Sequence, residues 1–439
     1  MPPNSLTHID WFRASAPYIN AYRNKTFVVY LPGESLANDN FATIIQDLAL
    51  LHSLGIRLVL VHGSRPQINQ RLAAENIISE FVNHERVTDE SALPLVLQAV
   101  GEARFQVESA LSTGLPNSPM HGANINVVTG NFVVGMPKGV HEGVDFHFTG
   151  KVRKINNDAI RQALARQAVV LISPIGFSNT GELFNLSSAE LAVRVAISLQ
   201  ADKFICFIQD DGLRLTNGEL LKQISVSQCR NLLDTNQVDG DEGKQALQHC
   251  FHAGDNGVAR AQVISYRENG ALLEELFTTN GRGSLIHSDS YEVVRTATID
   301  DVGGILALIT PLEQQGVLVR RSRELLESEI AQFTVVEIDG LIIGCAAVYG
   351  YSDNGMAELA AVVTHPEHQG LGLGAKLLGH IEQKAAAEGF TQLFVLTTQT
   401  AHWFLENGFK PGDLSQVPEQ KQSLYNFQRR SKIFIKSLS

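Results

Sequence analysis

From Thr26 to about Phe277, short β-branched runs alternate with longer segments of helical spacing. The runs are TFVVYL at 26–31, RLVLVHG at 57–63, AVVLISPIG at 168–176, KFICFIQ at 203–209 and ARAQVIS at 259–265. RLVLV and AVVLI are apolar at successive positions, so both faces of the strand are apolar, which suits strands covered on both sides of a sheet. Between two of the runs, Ser187 and Ser188 stand where a helix cap belongs, and Leu191, Val195 and Leu199 recur at helical spacing. A packed crossover helix is expected there, and the whole alternation predicts an α/β domain on a mostly parallel sheet. Residues 279–291, TNGRGSLIHSDSY, are rich in Gly, Ser and Asn and have no period, which places the domain junction there. A second alternation begins at VVRTAT, passes through a helix near Asp300, and continues with strands TVVEID, LIIGCAAVYG and AELAAVVT, with a hairpin turn at 338–340.

With 439 residues, the chain has room for two or three domains of roughly 100–200 residues each. No apolar run is long enough to cross a bilayer, and the amino end lacks the basic, apolar and small-residue succession of an export signal. A soluble protein of the cytoplasm is expected. Cys206, Cys229, Cys250 and Cys345 are far apart in sequence and form no C-x-x-C pair, so reduced structural thiols are expected and no metal. Asp and Glu number 46 against 35 Lys and Arg, an acidic balance that argues against a nucleic-acid partner.

The stretch with most chemistry is Val362-Val363-Thr364-His365-Pro366-Glu367-His368-Gln369-Gly370-Leu371-Gly372-Leu373-Gly374, followed by the amphipathic AKLLGHIEQKAAAEG. A strand runs into a glycine-rich turn and then a helix. Free N–H groups and the dipole at a helix start attract a diphosphate, and glycines let the backbone approach it. The glycines alone fit equally a tightly packed turn or part of a dinucleotide fingerprint.

In context, Gln369-x-x-Gly372-x-Gly374 after this strand end, with Asn407-Gly408-Phe409 downstream, resembles the GCN5-related N-acetyltransferase (GNAT) family. Arg295-x-Ala297-x-x-x-Asp301 resembles that family's opening strand and helix. The resemblance covers 293–439 and implies an α/β domain with a mixed sheet that uses acetyl-CoA as cosubstrate. The diphosphate would sit on the amides of about 370–375, with Gln369, Gly370, Leu371, Gly372, Leu373 and Gly374 in contact. The pantetheine would follow a splayed strand edge at Val362 and Val363.

Amide formation needs a neutral amine and a proton for the departing thiolate. Glu358, on the strand leading into the turn and expected to share a face with Ala360 and Val362, is the candidate base; a solvated strand carboxylate is the plainer reading. Many members of the family carry a tyrosine four residues before the final Gly-Phe, where this chain has Phe404-Leu405-Glu406-Asn407-Gly408-Phe409. Phe404 has no proton to give, and Thr397 at the end of QLFVLTT is the candidate acid, or else a structural strand threonine. Cys345 lies in an apolar strand, so direct attack is favoured over an acetyl-enzyme. Arg320, Arg321 and Arg323 after the first helix, and Gln428-Arg429-Arg430-Ser431-Lys432 before the last strand, offer guanidinium forks that match carboxylates. Each is also a plausible basic surface turn. Similarity to the glutamate-specific branch singles out Arg321, Arg429 and Ser431.

The segment Leu58-Val59-Leu60-Val61-His62-Gly63-Ser64-Arg65-Pro66-Gln67-Ile68 resembles the second glycine-rich segment of the amino-acid kinase family, acetylglutamate kinase in particular, over roughly 25–285. An α/β sandwich is implied. After the first strand this chain has Tyr30-Leu31-Pro32-Gly33-Glu34 in place of that family's phosphate-binding lysine and paired glycines, so ATP has no cradle and no kinase activity is expected. The helix Asp10–Ile19 and the segment Glu274–Ser284 resemble the arginine-binding elements of arginine-sensitive relatives. That resemblance implicates Tyr18, Glu275 and Gly281 as ligands of L-arginine; the alternative is that the helix is an oligomer contact, a hexameric one in related kinases, and Glu275 a solvated helix residue.

A disabled kinase domain joined to an acetyltransferase domain resembles the N-acetylglutamate synthase family of bacteria and plants. The implied reaction is transfer of acetyl from acetyl-CoA to the α-amino group of L-glutamate. The expected organisation is an arm at 1–24, a kinase-like regulatory domain at 25–285, a linker at 286–292 and a GNAT domain at 293–439. An acetyltransferase acting on another amine or on protein lysine is the alternative.

Overall fold

The two-sided apolar runs form the middle of an eight-stranded sheet. In a computed structural model that describes residues 8–116, 118–278, 281–288, 292–338, 341–366, 369, 372–423 and 431–438, the chain divides into two units, Met1–Ser290 and Tyr291–Ser439. The strand order in the first unit is Gln223–Ser225, Ser284–His287, Arg260–Ser265, Lys203–Ile208, Thr26–Leu31, Arg57–His62, Val169–Ile172 and Val127–Val128. All neighbours are parallel except Arg260–Ser265 with Ser284–His287.

Side-chain alternation sorts these strands between two cores. Val28, Val59 and Val61 pack with Leu191, Val195 and Leu199 of the helix Ser188–Leu199. Phe27, Val29, Leu58 and Leu60 pack on the other face with Leu48 and Leu51 of the helix Phe41–Ser53. Ser187 caps the crossover helix, its side chain accepting from the Glu190 amide. AVVLISPIG divides in two: Val169–Ile172 joins the large sheet, whereas Ile175–Phe177 joins a four-stranded sheet with Leu183–Asn185, Val133–Pro137 and Gly150–Ile155.

One expectation is corrected here. Residues 284–287, expected in the aperiodic junction, form an inner strand in which Ser284 and Ile286 are buried; a four-residue alternation that buries a serine leaves no apolar signal. Cys206, Cys229 and Cys250, far apart in sequence, belong to one core, and Cys345 to another. All four cysteines are free and buried. Among the described residues no His, Cys, Asp and Glu group could hold a metal ion, and no helix is long and apolar enough to cross a membrane.

The second unit is a seven-stranded sheet in the order Val293–Thr296, Phe333–Ile338, Leu341–Tyr351, Met356–Thr364, Gln392–Thr397, Lys432–Ser437 and Lys410–Gly412. Only the pair Met356–Thr364 with Gln392–Thr397 is parallel. Val302, Ile305 and Ile309 of the helix Val302–Gln314 cover Phe333, Val335 and Cys345. Leu373, Leu377 and Ile381 of the helix Leu373–Ala387 cover Val336, Ala346 and Leu359 on the opposite face. Arg295 grips Asp301 with both Nη atoms, at 2.7 and 2.8 Å, which holds the Asp301 carboxyl down to about 2 and ties the first strand to the first helix. The hairpin positions 339 and 340 lie outside the described residues.

Candidate active site

The single parallel pair opens after three residues. Met356, Ala357 and Glu358 are in register with Gln392, Leu393 and Phe394, and no pair follows; Val395, Leu396 and Thr397 pair only on their other side, with Phe434, Ile433 and Lys432. The edge of 359–364 therefore faces a gap with its peptide groups unclaimed by the neighbouring strand. A β-bulge accompanies this divergence: Ala347 pairs with Ala360 but Cys345 with Val363, so Ala361 and Val362 together span the position of Ala346. Ala361 has φ +49°, a conformation rare outside glycine, and its carbonyl accepts the Cys345 thiol at 3.7 Å. The bulge corrects one expectation. Val362 does not share the Glu358 face; it packs with Leu359 and Leu377, whereas Ala361 and Val363 pack with Cys345 and Ala347.

The helix Leu373–Ala387 starts from the splayed end of this strand. Gly372 is its N-cap, at φ +77° with open space where a Cβ would stand, and no side chain caps the first turn. The helix thus presents free N–H groups where a diphosphate is expected. Gly374 has a packing reason, since a Cβ there would lie 3.0 Å from Cζ2 of Trp403. Gln369 is exposed, its amide donating to the Thr364 carbonyl at 3.4 Å. Gly370 and Leu371 lie outside the described residues.

Glu358 is buried, and the fold supplies neighbours that the sequence could not show. Lys421 Nζ lies 2.7 Å from its Oε1, and the Tyr351 hydroxyl donates to Oε2 at 3.4 Å. Burial, and then the carboxylate, push the Tyr351 phenol up to about 12. Thr397 is half-buried; its Oγ1 lies 3.1 Å from Oγ1 of Thr400 and accepts the Thr400 and Gln399 amides at 3.3 and 3.4 Å. The hydroxyl therefore organises the turn that begins the next helix. Phe404, at the position where relatives carry a tyrosine, is buried among Trp403, Phe409 and Phe434. Burial pushes the Cys345 thiol up to about 12, leaving it a poor nucleophile.

Of the three guanidiniums near 320, the fold distinguishes Arg321. Arg320 and Arg323 are exposed, and Arg323 is paired with Glu327 at 2.7 Å. Arg321 is half-buried, its amide bound to Glu313 Oε1 at 3.0 Å, and its charge acts on Cys345 and Tyr349 of the central strand. Ser431 is half-buried and lines a cavity of about 610 Å³ together with Lys432, Asp413 and Leu414; neither Glu358 nor Thr397 lines that cavity. Arg429 lies outside the described residues.

In the first unit, the space between the two glycine turns is filled by chain. A Cβ on Gly33 would lie 2.7 Å from Pro66 and one on Gly63 the same distance from the Gly33 nitrogen, so the two glycine turns pack directly on each other. His62 is buried between the Gly63 carbonyl and the Ser173 hydroxyl, and burial holds it down to about 4, a neutral imidazole. The expected arginine elements come from the helices His8–Tyr22 and Ala271–Phe277. Tyr18 packs against Tyr22 with ring centres 6.2 Å apart, and Tyr22 against Phe277 at 6.0 Å, both pairs tilted. Glu275 Oε2 accepts the amides of Arg282 and Gly283 at 2.8 and 2.9 Å, and Gly281 turns at φ +53° beside it. Burial raises the Glu275 carboxyl. Lys203 was missed. It opens the run KFICFIQ and reads as a strand end, yet it is buried, with Nζ 4.7 Å from the Tyr22 ring centre. Burial, and then Arg260, hold its ammonium well below the usual range, against the pull of Glu275.

Comparison with known proteins agrees with this architecture. Residues 25–265 match the amino acid kinase family and residues 329–411 match the acetyltransferase (GNAT) domain. Amino-acid acetyltransferases of Ectopseudomonas mendocina and Pseudomonas fluorescens are each 48% identical over 431 residues, 98% of this chain and 99% of theirs. The crystal structure of N-acetylglutamate synthase from Neisseria gonorrhoeae complexed with coenzyme A and L-arginine is 34% identical, covers 98% of this chain and 99% of its own, and superposes with a TM-score of 0.86. A second structure of that enzyme, with coenzyme A and N-acetyl-glutamate, gives 0.63. With a kinase-type unit at its amino end and a GNAT unit at its carboxyl end, this chain belongs to the amino-acid acetyltransferase family.

Proposed function

We propose that the chain transfers the acetyl group of acetyl-CoA to the α-amino group of L-glutamate, forming N-acetyl-L-glutamate, the first step of arginine biosynthesis. The observation that carries this reading is the strand gap beside Glu358, opening at the uncapped Gly372 helix start. Bound acetyl-CoA supplies an acyl thioester. The first-turn amides after Gly372 hold its diphosphate, with Gln369, Gly370, Leu371, Leu373 and Gly374 around it. The freed strand edge at Val362 and Val363 aligns the pantetheine by backbone hydrogen bonds. Glu358 accepts a proton from the α-ammonium, so that the amine attacks as a neutral nucleophile, and Thr397 donates a proton toward the departing sulfur. Arg321, Arg429 and Ser431 hold the two carboxylates of glutamate, which sets the substrate class.

The kinase-like unit acts as the sensor of L-arginine through Tyr18, Glu275 and Gly281, with Lys203 beside them, in a cytoplasmic homo-oligomer, hexameric by likeness to related kinases. Support for the ligand comes from the 34%-identical relative whose crystals contain L-arginine. One experiment separates the readings. Acetyl-CoA is incubated with the purified chain and single amino acids while free thiol and product mass are followed. Thiol release that requires glutamate and yields acetylated glutamate is expected. Release with other amines or with protein lysine, and none with glutamate, favours the alternative acetyltransferase.

A further inference from the structure

Lys421 belongs to no motif and stands 63 positions from Glu358 (421 − 358), yet its ammonium is 2.7 Å from that carboxylate. Its helix, Glu419–Ser423, is anchored to the sheet. Val417, just upstream, packs with Met356, Phe394 and Ile433, and the Lys421 and Gln422 amides are bound by the Pro418 carbonyl at 2.8 and 3.0 Å. Both partners are largely covered, with 24% of the Lys421 side chain and 9% of the Glu358 side chain accessible. A lysine gives up considerable side-chain freedom to be held in one place, and taking two charges out of water offsets much of their attraction. A pair that fixes one rotamer of a buried carboxylate at the mouth of a substrate gap has a use beyond stability.

We infer that Lys421 is a positioning residue for the acetyl transfer: it holds the Glu358 carboxylate in one orientation at the strand gap. The inference rests on the reading of Glu358 as the base. From the strand Leu341–Tyr351, Tyr351 also bonds the carboxylate, but burial pushes its phenol up to about 12, so it stays neutral. From the strand Gln392–Thr397, the residue in register with Glu358 is Phe394, which carries no charge. Among the described residues, Lys421 is thus the charged group in contact with Glu358. An ammonium in contact with a carboxylate favours the charged pair, so neutral variants at position 421 are expected to shift the acid side of the rate profile.

The test is the pH profile of kcat/KM for glutamate in the full chain and in Lys421→Met, Lys421→Gln and Lys421→Arg. The two neutral variants differ in polarity, so a folding defect in one leaves the other to report. In both, kcat should fall about tenfold and the acid limb of the profile should move up by about one pH unit, while KM for acetyl-CoA stays within about twofold. Lys421→Arg should restore the position of the limb. An unmoved acid limb in a folded neutral variant overturns the inference and leaves Lys421 a structural clamp. Failure of the underlying reading looks different: Glu358→Gln would then keep both its turnover and its acid limb.

Discussion

Gly281→Ala isolates the arginine element from the chemistry. A Cβ built on Gly281 lies 2.5 Å from Oε2 of Glu275 and 3.2 Å from its Cδ, closer than real Cβ atoms approach. The turn cannot retreat, because Gly283 is itself wedged: a Cβ there would lie 2.1 Å from the Val263 carbonyl. Glu275 must therefore swing away and release the amides of Arg282 and Gly283. Alanine at φ +53° costs about 1 kcal/mol. Hydrogen bonds to a carboxylate are worth about 1.5–3 kcal/mol each, of which water returns a part, so a total near 3 kcal/mol is expected.

If L-arginine needs this turn, that amount weakens its binding by about a hundredfold. The assay is thiol release against arginine concentration, with calorimetric binding and thermal unfolding in parallel. Basal turnover should stay within about twofold of the parent, because the substitution lies in the first unit and Glu358 and Thr397 in the second. The unfolding midpoint should drop by about 5 °C. An unchanged midpoint refutes the steric argument; a lowered midpoint with an intact arginine response refutes the assignment of the site.

Glu358→Gln should lower kcat by about a hundredfold or more at neutral pH, read by single-turnover thiol release; near-normal turnover removes it as base. Thr397→Val should lower kcat about tenfold with little change in KM for glutamate, whereas Thr397→Ser should keep most of the rate; equal loss in both points to the turn at Thr400 instead. Gly372→Ala places alanine at φ +77° and should raise KM for acetyl-CoA severalfold, measured at saturating glutamate. Asp47 is buried on the helix Phe41–Ser53, and burial pushes its carboxyl up to about 7. Its folded form favours the proton, so stability is lost as pH rises from about 4 to about 7. Asp47→Asn should stabilise the chain at pH 8 by at most about 4 kcal/mol and hardly at pH 4, as denaturant unfolding at the two pH values would report.

Period and motif made the architecture legible where the signal was local. The runs at 26–31, 57–62 and 203–208 became the inner parallel strands because their apolar residues face two cores at once. The helix after Gly372 was legible for the same reason, since turn, cap and apolar face lie within a few residues of one another. The strand Ser284–His287 was not, because its burial depends on a neighbouring strand and not on its own apolarity. Lys203 was likewise hidden, as a charged residue that opens a strand carries no mark of being enclosed by a helix from the other end of the unit.

What the sequence withheld about the site has a single physical origin. A bulge is a property of two strands: Ala361 looks like any strand alanine until the partner's register, Ala347 with Ala360 and Cys345 with Val363, forces the extra residue out. That displacement re-aims Val362 and accompanies the parting of the parallel strands after Glu358. The Lys421 contact on Glu358 is of the same kind, a pairing across the sheet with no periodicity to announce it. Residue types could therefore nominate a base, an acid and a diphosphate turn. The bulge beside the strand gap and the cation on Glu358 are long-range, and variants of Lys421 probe that part of the site.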